Sequence, residues 1–333
     1  AGSAINHQDA AGAVIIGSNA GAVLTSGFGN VAIGRDALNT ATELDFNTAI
    51  GYQALKVMSG SAGTGGNTAV GYKAGVAVTS GANNSIIGSI AGDVLTTGNS
   101  NTIMGVNAAG GLITGGNNTF IGVQAGFLTE DVDKAVCIGF ASAGGNMTSD
   151  ADGTIAIGYA AASTLTTGRY NIAIGYEALQ TATELDKNTA IGYQALKTMS
   201  GSAGTGGNTA VGYQAGLAIT TADRNVAIGA MALTTETATG YNVAVGYKSL
   251  FAQNGGNSNT GCGYGTGYYN GTGDNNTYVG NYAGFGASGQ NNSNNTAVGK
   301  GAMEAVTTGG ENVVIGMMAG NALTTGANNV IIG

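Results

Sequence analysis

Residues 188–213 read NTAIGYQALKTMSGSAGTGGNTAVGY, and residues 47–72 read NTAIGYQALKVMSGSAGTGGNTAVGY. The two stretches differ only at Val57 and Thr198, although one opens at Asn47 and the other at Asn188. Near-identity at such a distance implies repetition. The glycine that closes each IG or VG pair measures it. This glycine falls at 17, 34, 51, 71, 88, 105, 122, 139 and 158, and continues to 333. Most steps equal 17; the exceptions are two of 20 and two of 19. The block of eight steps from Gly17 to Gly158 recurs in register from Gly158 to Gly299, longer steps included. Fixed self-similarity of this kind is the mark of a solenoid.

The composition agrees. The 333 residues include 62 Gly, no Pro, no Trp and only 8% charged side chains. Globular chains are nearer 25% charged and about 7% Gly. Yet 43% of the residues are hydrophobic, which separates the chain from highly charged disordered sequences. A formal charge of −8 argues against a nucleic-acid partner, because phosphate binding needs a basic surface. No apolar run is long enough to span a membrane as a helix.

Positions are counted from the ruler glycine. Position −1 is Ile in twelve units, Val in five, and Met104 or Cys262 in the others. Position −3 is β-branched everywhere except Ser85. Position −4 is Asn in sixteen of nineteen units, and +3 is Ala in fifteen of eighteen. A short β-branched run makes a strand. The glycine marks a corner that needs positive φ or has no room for a Cβ. Stacked Asn residues can form amide ladders, and the Ala column marks a thin coil. Gly, Thr, Asn and Val spread throughout exclude a helical solenoid. The expected fold is an all-β parallel β-solenoid, a β-roll of about 19 coils with a 17-residue repeat. It runs over 1–333 as one domain, with repeat blocks 17–157 and 158–298 and the start of a third at 299–333. Eighteen steps at about 4.8 Å give a rod of roughly 86 Å. The longer steps, around 63–66, 204–207 and 145–153, are expected to form bulging loops.

Side chains alternate along a strand, so −1 and −3 share a face, expected to be buried. Position −2 faces the other way. It is Ala in ten units, and otherwise Ile15, Ile86, Ile103, Phe120, Cys137, Gly261, Tyr278, Val314 or Ile331. Both faces are thus apolar or small, which implies that both are covered. Either a homotrimer supplies the second cover or a wider coil of one chain buries both columns. With −1 buried, Ile191→Asp is expected to break the stack.

On these residues the chain resembles two families. NVAIG at 30–34 and 225–229 is similar to the head repeat of trimeric autotransporter adhesins, which implies a left-handed trimeric β-roll. NTAIGYQAL followed by a Thr-Thr-Gly turn resembles the repeats of phage tail fibres and related surface fibres. The resemblance covers essentially the whole chain. It implies an extracellular fibre on a virion or cell surface, assembled from copies of itself, of which this chain is part.

Catalysis is not expected. The one histidine, His7, lies outside the regular array, and no HExxH, GxSxG or Walker sequence occurs. No cofactor or metal is expected. Asp150 and Asp152 could supply some Ca²⁺ ligands, but a solvated loop is the simpler reading. The segments TELD that end at Asp45 and Asp186 read as turns. Cys137 and Cys262 read as buried small hydrophobes that cannot pair with each other. An ice-binding face would need a flat exposed Thr array; the −3 column mixes Thr with Val and Ile and shares the expected buried face.

The aromatic residues are the candidate contacts. Tyr52, Tyr72, Tyr159, Tyr176, Tyr193, Tyr213, Tyr247 and Tyr264 follow the ruler glycine and should align as an edge stripe. They either shield the corners or meet a glycan or filament. A second, irregular cluster comprises Tyr264, Tyr268, Tyr269, Tyr278, Tyr282 and Phe285. The expected role is a structural shaft that presents an attachment site. The alternatives are an adhesin that binds glycan through its own flank and a subunit of a self-assembling filament.

Overall fold

The computed structural model describes residues 12–59, 65–201, 206–288 and 291–333. His7 and parts of the loops near 63–66 and 204–207 lie outside the described residues. The chain divides into two compact units, 1–170 and 171–333.

Each unit is a parallel β-solenoid. The first carries nine three-residue strands from β1 (Val14–Ile16) to β9 (Ile155–Ile157), including β3 (Thr48–Ile50) and β4 (Thr68–Val70). The second carries ten, from β10 (Ile172–Ile174) to β19 (Val330–Ile332), including β11 (Thr189–Ile191) and β12 (Thr209–Val211). Consecutive strands within a unit pair in parallel without a register shift: Thr48, Ala49 and Ile50 face Thr68, Ala69 and Val70. Their counterparts Thr189, Ala190 and Ile191 face Thr209, Ala210 and Val211. The two longest steps therefore keep the pairing; the chain rejoins the stack through the bridges Asp45–Gly65 and Asp186–Gly206.

The rest of each coil is a wall of turns held in left-handed backbone. Around Gly51, for example, φ is +58° at Phe46, +133° at Gly51, +57° at Gln53 and +47° at Leu55. A left-handed non-Gly residue costs roughly 1–2 kcal/mol. The cost is offset because the same turns aim their amides along the stack. Gln53 N donates to the Arg35 carbonyl at 2.9 Å in the coil before, and Leu55 N to the Ala74 carbonyl at 3.1 Å in the coil after. Both walls are thus hydrogen-bonded ladders, although only one is a sheet.

The corner glycine meets both conditions read from the sequence. Its φ lies near +130°, and a Cβ on Gly51 would stand 2.3 Å from the Gly71 carbonyl oxygen. The asparagine ladder also forms. Asn84 Oδ1 accepts from Asn101 N at 2.9 Å and Asn101 Nδ2 at 3.0 Å. Asn84 Nδ2 donates to Asn67 Oδ1 at 3.1 Å and to the Gly98 carbonyl at 2.9 Å, pinning the strand to the opposite wall. These amides are buried. Asn84→Ala should cost about 2–3 kcal/mol, since it orphans buried donors and an acceptor; denaturant unfolding of the variant measures this. The ladder is interrupted where Ala135 replaces Asn. There the longer step folds a 3-10 turn, Ser149–Ala151, whose Ala151 carbonyl accepts from Thr154 N at 3.3 Å and Thr154 Oγ1 at 2.8 Å. This insertion does not simply bulge outward, because Met147 and Ala151 are buried.

The buried face of the strand is the reverse of the expected one. The −2 column is inside: Ala49, Ile86, Phe120 and Tyr278 are fully buried. The −3 and −1 columns lie on the outer face; Ile191 is half-buried, Met104 is 42% exposed and Ile315 41%. A charge at Ile191 therefore falls outside the core, and Ile191→Asp should leave the stack intact. The interior is completed by +3 Ala, by +4 residues such as Leu55, and by +7 residues such as Met58. The coil is so thin that a strand side chain must share its layer with the +4 side chain across it. In most coils their sizes are reciprocal; Ala69 with Gly75 and Ala210 with Gly216 are small on both sides, and there Leu55 and Leu196 of the coil before reach into the space. Ala49 faces Leu55 and Ala190 faces Leu196, whereas Phe120 goes with Gly126 and Tyr278 with Gly284. A Cβ on Gly126 would stand 2.5 Å from the Phe120 ring, and one on Gly284 2.4 Å from the Tyr278 ring. The bulky Ile column is outside because the inside has no room for it. Each coil closes its own core, so the outer face is the one left without a cover in the single chain.

Candidate functional site

Three coils of the second unit, with strands β14 (Val243–Val245), β15 (Thr260–Cys262) and β16 (Thr277–Val279), build an aromatic cavity of about 190 Å³. Its construction follows from the register. Position +5 places Phe251, Tyr268 and Phe285 in successive coils; Phe251 stacks on Tyr268 at 4.9 Å between centroids, and Phe285 lies tilted against Tyr268 at 5.1 Å. Position +1 places Tyr247 against Tyr264 at 5.3 Å. Position +2 is Lys248, then Gly265, then Tyr282. A Cβ at Gly265 would come within 3.1 Å of the Tyr282 ring, so the missing side chain opens the slot that this ring overhangs. Tyr282 and Tyr269 set their edges against Phe285 at 5.2 and 5.3 Å, near perpendicular. Such edge-to-face contacts hold the rings in place.

Lys248 is the one charged residue in the lining. Its ammonium lies 5.2 Å from the Phe251 centroid, 5.4 Å from Tyr247 and 5.9 Å from Tyr268, within cation–π range. A hydrogen bond with Tyr264, followed by desolvation and the charges of Tyr264 and Glu304, pushes the Tyr282 phenol above its ordinary range.

The irregular cluster expected from the sequence is thus brought together, with one correction. Tyr278 is not a surface residue; it fills the core at position −2, and its hydroxyl bonds to Asn292 Oδ1. Burial raises its phenol far above the ordinary range. Gly265 and Lys248 were not legible as site residues. The signal for Gly265 is the gap it leaves in a +2 column filled in most other coils.

The tyrosine stripe forms as short stacks. Tyr52 and Tyr72 lie 5.4 Å apart at 9°, and Tyr176, Tyr193 and Tyr213 are spaced by 5.2 Å. Tyr159 stacks on Phe140 at 5.4 Å. These rings are partly exposed; Tyr72 and Tyr213 reach 49%. Ser89, Val123, Ala230 and Asn281 at +1 interrupt the column.

The remaining candidates have structural duties. Asp150 pairs with Arg169, and Asp152 Oδ1 accepts the Asp133 amide at 2.7 Å. Asp45 likewise accepts the Phe28 amide at 2.8 Å. Glu236, fully buried, takes the amides of Thr237, Ala238 and Thr239 on Oε1 at 3.0, 3.1 and 2.9 Å. Cys137 is buried, and desolvation raises its thiol well above the ordinary range; Cys262, contrary to expectation, is exposed at −1. The −3 and −1 columns share the outer face, most of their residues half-buried, so interior burial is not the objection to an ice-binding face; the mixing of Thr with Val and Ile is. Among the described residues no helix is long and apolar enough to cross a membrane.

No protein-family model and no curated protein matches the chain.

Proposed function

We propose that this chain is a shaft segment of an extracellular or virion fibre, without catalytic activity, that associates with copies of itself as a homotrimer. The observation that carries the reading is the unshifted register of every strand pair within each unit. Hydrogen-bonded ladders on both walls resist bending and shear, and a β-solenoid is compatible with a load-bearing shaft. The resemblance to phage tail-fibre and adhesin-head repeats supports the same role.

Self-association is supported by the outer sheet face. Parallel sheets are ordinarily covered on both sides, yet here the Ile and Val rows at −1 and the Val, Ile and Thr rows at −3 face outward. A contiguous apolar row of this kind is characteristic of an interaction surface. Light scattering with negative-stain imaging tests the reading, using wild type beside Ile191→Lys/Ile228→Lys. Wild type should be a uniform trimer of elongated particles. The variant should be monomeric with an unchanged circular dichroism spectrum and a melting temperature within a few degrees, since surface substitutions usually stay within about 0.5 kcal/mol. A monomeric wild type sinks the shaft reading. Open-ended polymers would make the chain a filament subunit instead.

A further inference from the structure

We propose that the cavity formed by Lys248, Tyr264, Tyr268, Tyr269, Tyr282 and Phe285 binds one pyranose ring bearing a carboxylate, a hexuronic-acid type of sugar, within a surface glycan. This goes beyond the shaft role and has a separate test; a monomer in light scattering would leave it standing.

The size selects one ring. A volume of about 190 Å³ is below the roughly 300–1,000 Å³ of pockets for drug-sized ligands. The lining selects a sugar. Aromatic planes offer an apolar surface to the C–H face of a pyranose, and phenol groups on Tyr264, Tyr268, Tyr269 and Tyr282 offer donors and acceptors to its hydroxyls. A purely aliphatic ligand would leave those phenols desolvated without partners. Lys248 selects the charge. A cationic ligand would meet an ammonium already seated against three rings, whereas a carboxylate gains a charge-assisted hydrogen bond. The rings are braced by their mutual contacts, so little ordering entropy is lost on binding. The formal charge of −8 and the nearby Glu304 disfavour a long polyanion, which points to a single acidic residue in an otherwise neutral glycan.

The test uses the whole chain, with methyl β-glucuronide, methyl β-glucoside and acetate as probes. The chain has no tryptophan, so tyrosine emission reports the rings directly. Methyl β-glucuronide should give a saturable change with Kd on the order of 1 mM and bind about tenfold more tightly than methyl β-glucoside. Lys248→Met should erase that preference and leave the glucoside affinity intact. Tyr268→Ala should abolish both. Should Tyr268→Ala disturb the coil, Tyr264→Ser at a 46% exposed ring replaces it. Equal affinity for the two glycosides, competition by acetate as effective as by the glucuronide, or no saturation by the glucuronide up to roughly 50 mM overturns the proposal.

Discussion

Phe120→Ala destabilises the first unit by about 3–5 kcal/mol, and adding Gly126→Leu restores most of the loss. Phe120 is fully buried at −2, and the space above Gly126 is filled by its ring, 2.5 Å from where a Cβ would stand. Gly126→Leu alone overpacks that layer and should cost more than the roughly 1–3 kcal/mol of an inserted methylene. The double variant recreates the layer seen where Ala190 faces Leu196. Its backbone is already suitable: φ is +61° at Gly126, against +48° at Leu196 and +52° at Leu179. The two substitutions should therefore couple by about 2 kcal/mol or more, near the upper range for residues in contact. Denaturant unfolding of the four-member cycle measures this. Additive losses would mean that the two positions do not share a layer.

Gly192→Ala has the second large effect. The corner sits at φ +133°, which L-residues rarely adopt, and the new Cβ would lie 2.4 Å from the Gly212 carbonyl oxygen. Backbone strain alone is worth about 1–3 kcal/mol. The clash is with main chain of the next coil, which cannot move without breaking its own ladder, so the total should exceed about 4 kcal/mol. Opening should be local, because stability in a solenoid is a sum of neighbouring interfaces. Hydrogen exchange will show it at the Gly212 and Gln194 amides, which donate to Ile191 O and Tyr176 O at 2.8 Å. Gly207→Asn is the control. Its φ is +69°, its nearest neighbour is Arg224 Cγ at 3.9 Å, and Asn83 and Asn275 hold the same position in other coils. It should melt as wild type does. If Gly192→Ala also melts unchanged, the corner does not require glycine.

The outer face and the cavity were each half legible, for related reasons. Period-2 alternation separates −2 from −1 and −3 but does not say which set points inward. In an ordinary domain the bulkier set is the better guess. Here the wall-to-wall distance leaves room for one large side chain between −2 and +4, so where +4 is Leu the strand turns Ala inward and Ile outward. A partial reciprocity between −2 and +4 was present in the sequence as a hint, in Phe120 with Gly126, Tyr278 with Gly284 and Ala190 with Leu196, but Ala69 with Gly75 and Ala210 with Gly216 break it, so it did not decide the matter. The same hint bears on Tyr278, which lies inside and not in the surface cluster. For the cavity, aromatic enrichment pointed to Tyr264, Tyr268, Tyr269, Tyr282 and Phe285. Lys248 enters only because +2 and +5 of one coil lie beside +2 and +5 of the next.

What the amino-acid sequence determined by itself is whatever repeats with the period: the number of coils, their unshifted stacking, glycine at the corner and the asparagine ladder. Each depends on one residue meeting its own copy one period on, so a column is enough to read it. The tertiary structure alone decided which strand face is inside and where the cavity opens. Both depend on residues from different columns competing for the same volume, and that distance across the coil is set only when both walls have closed.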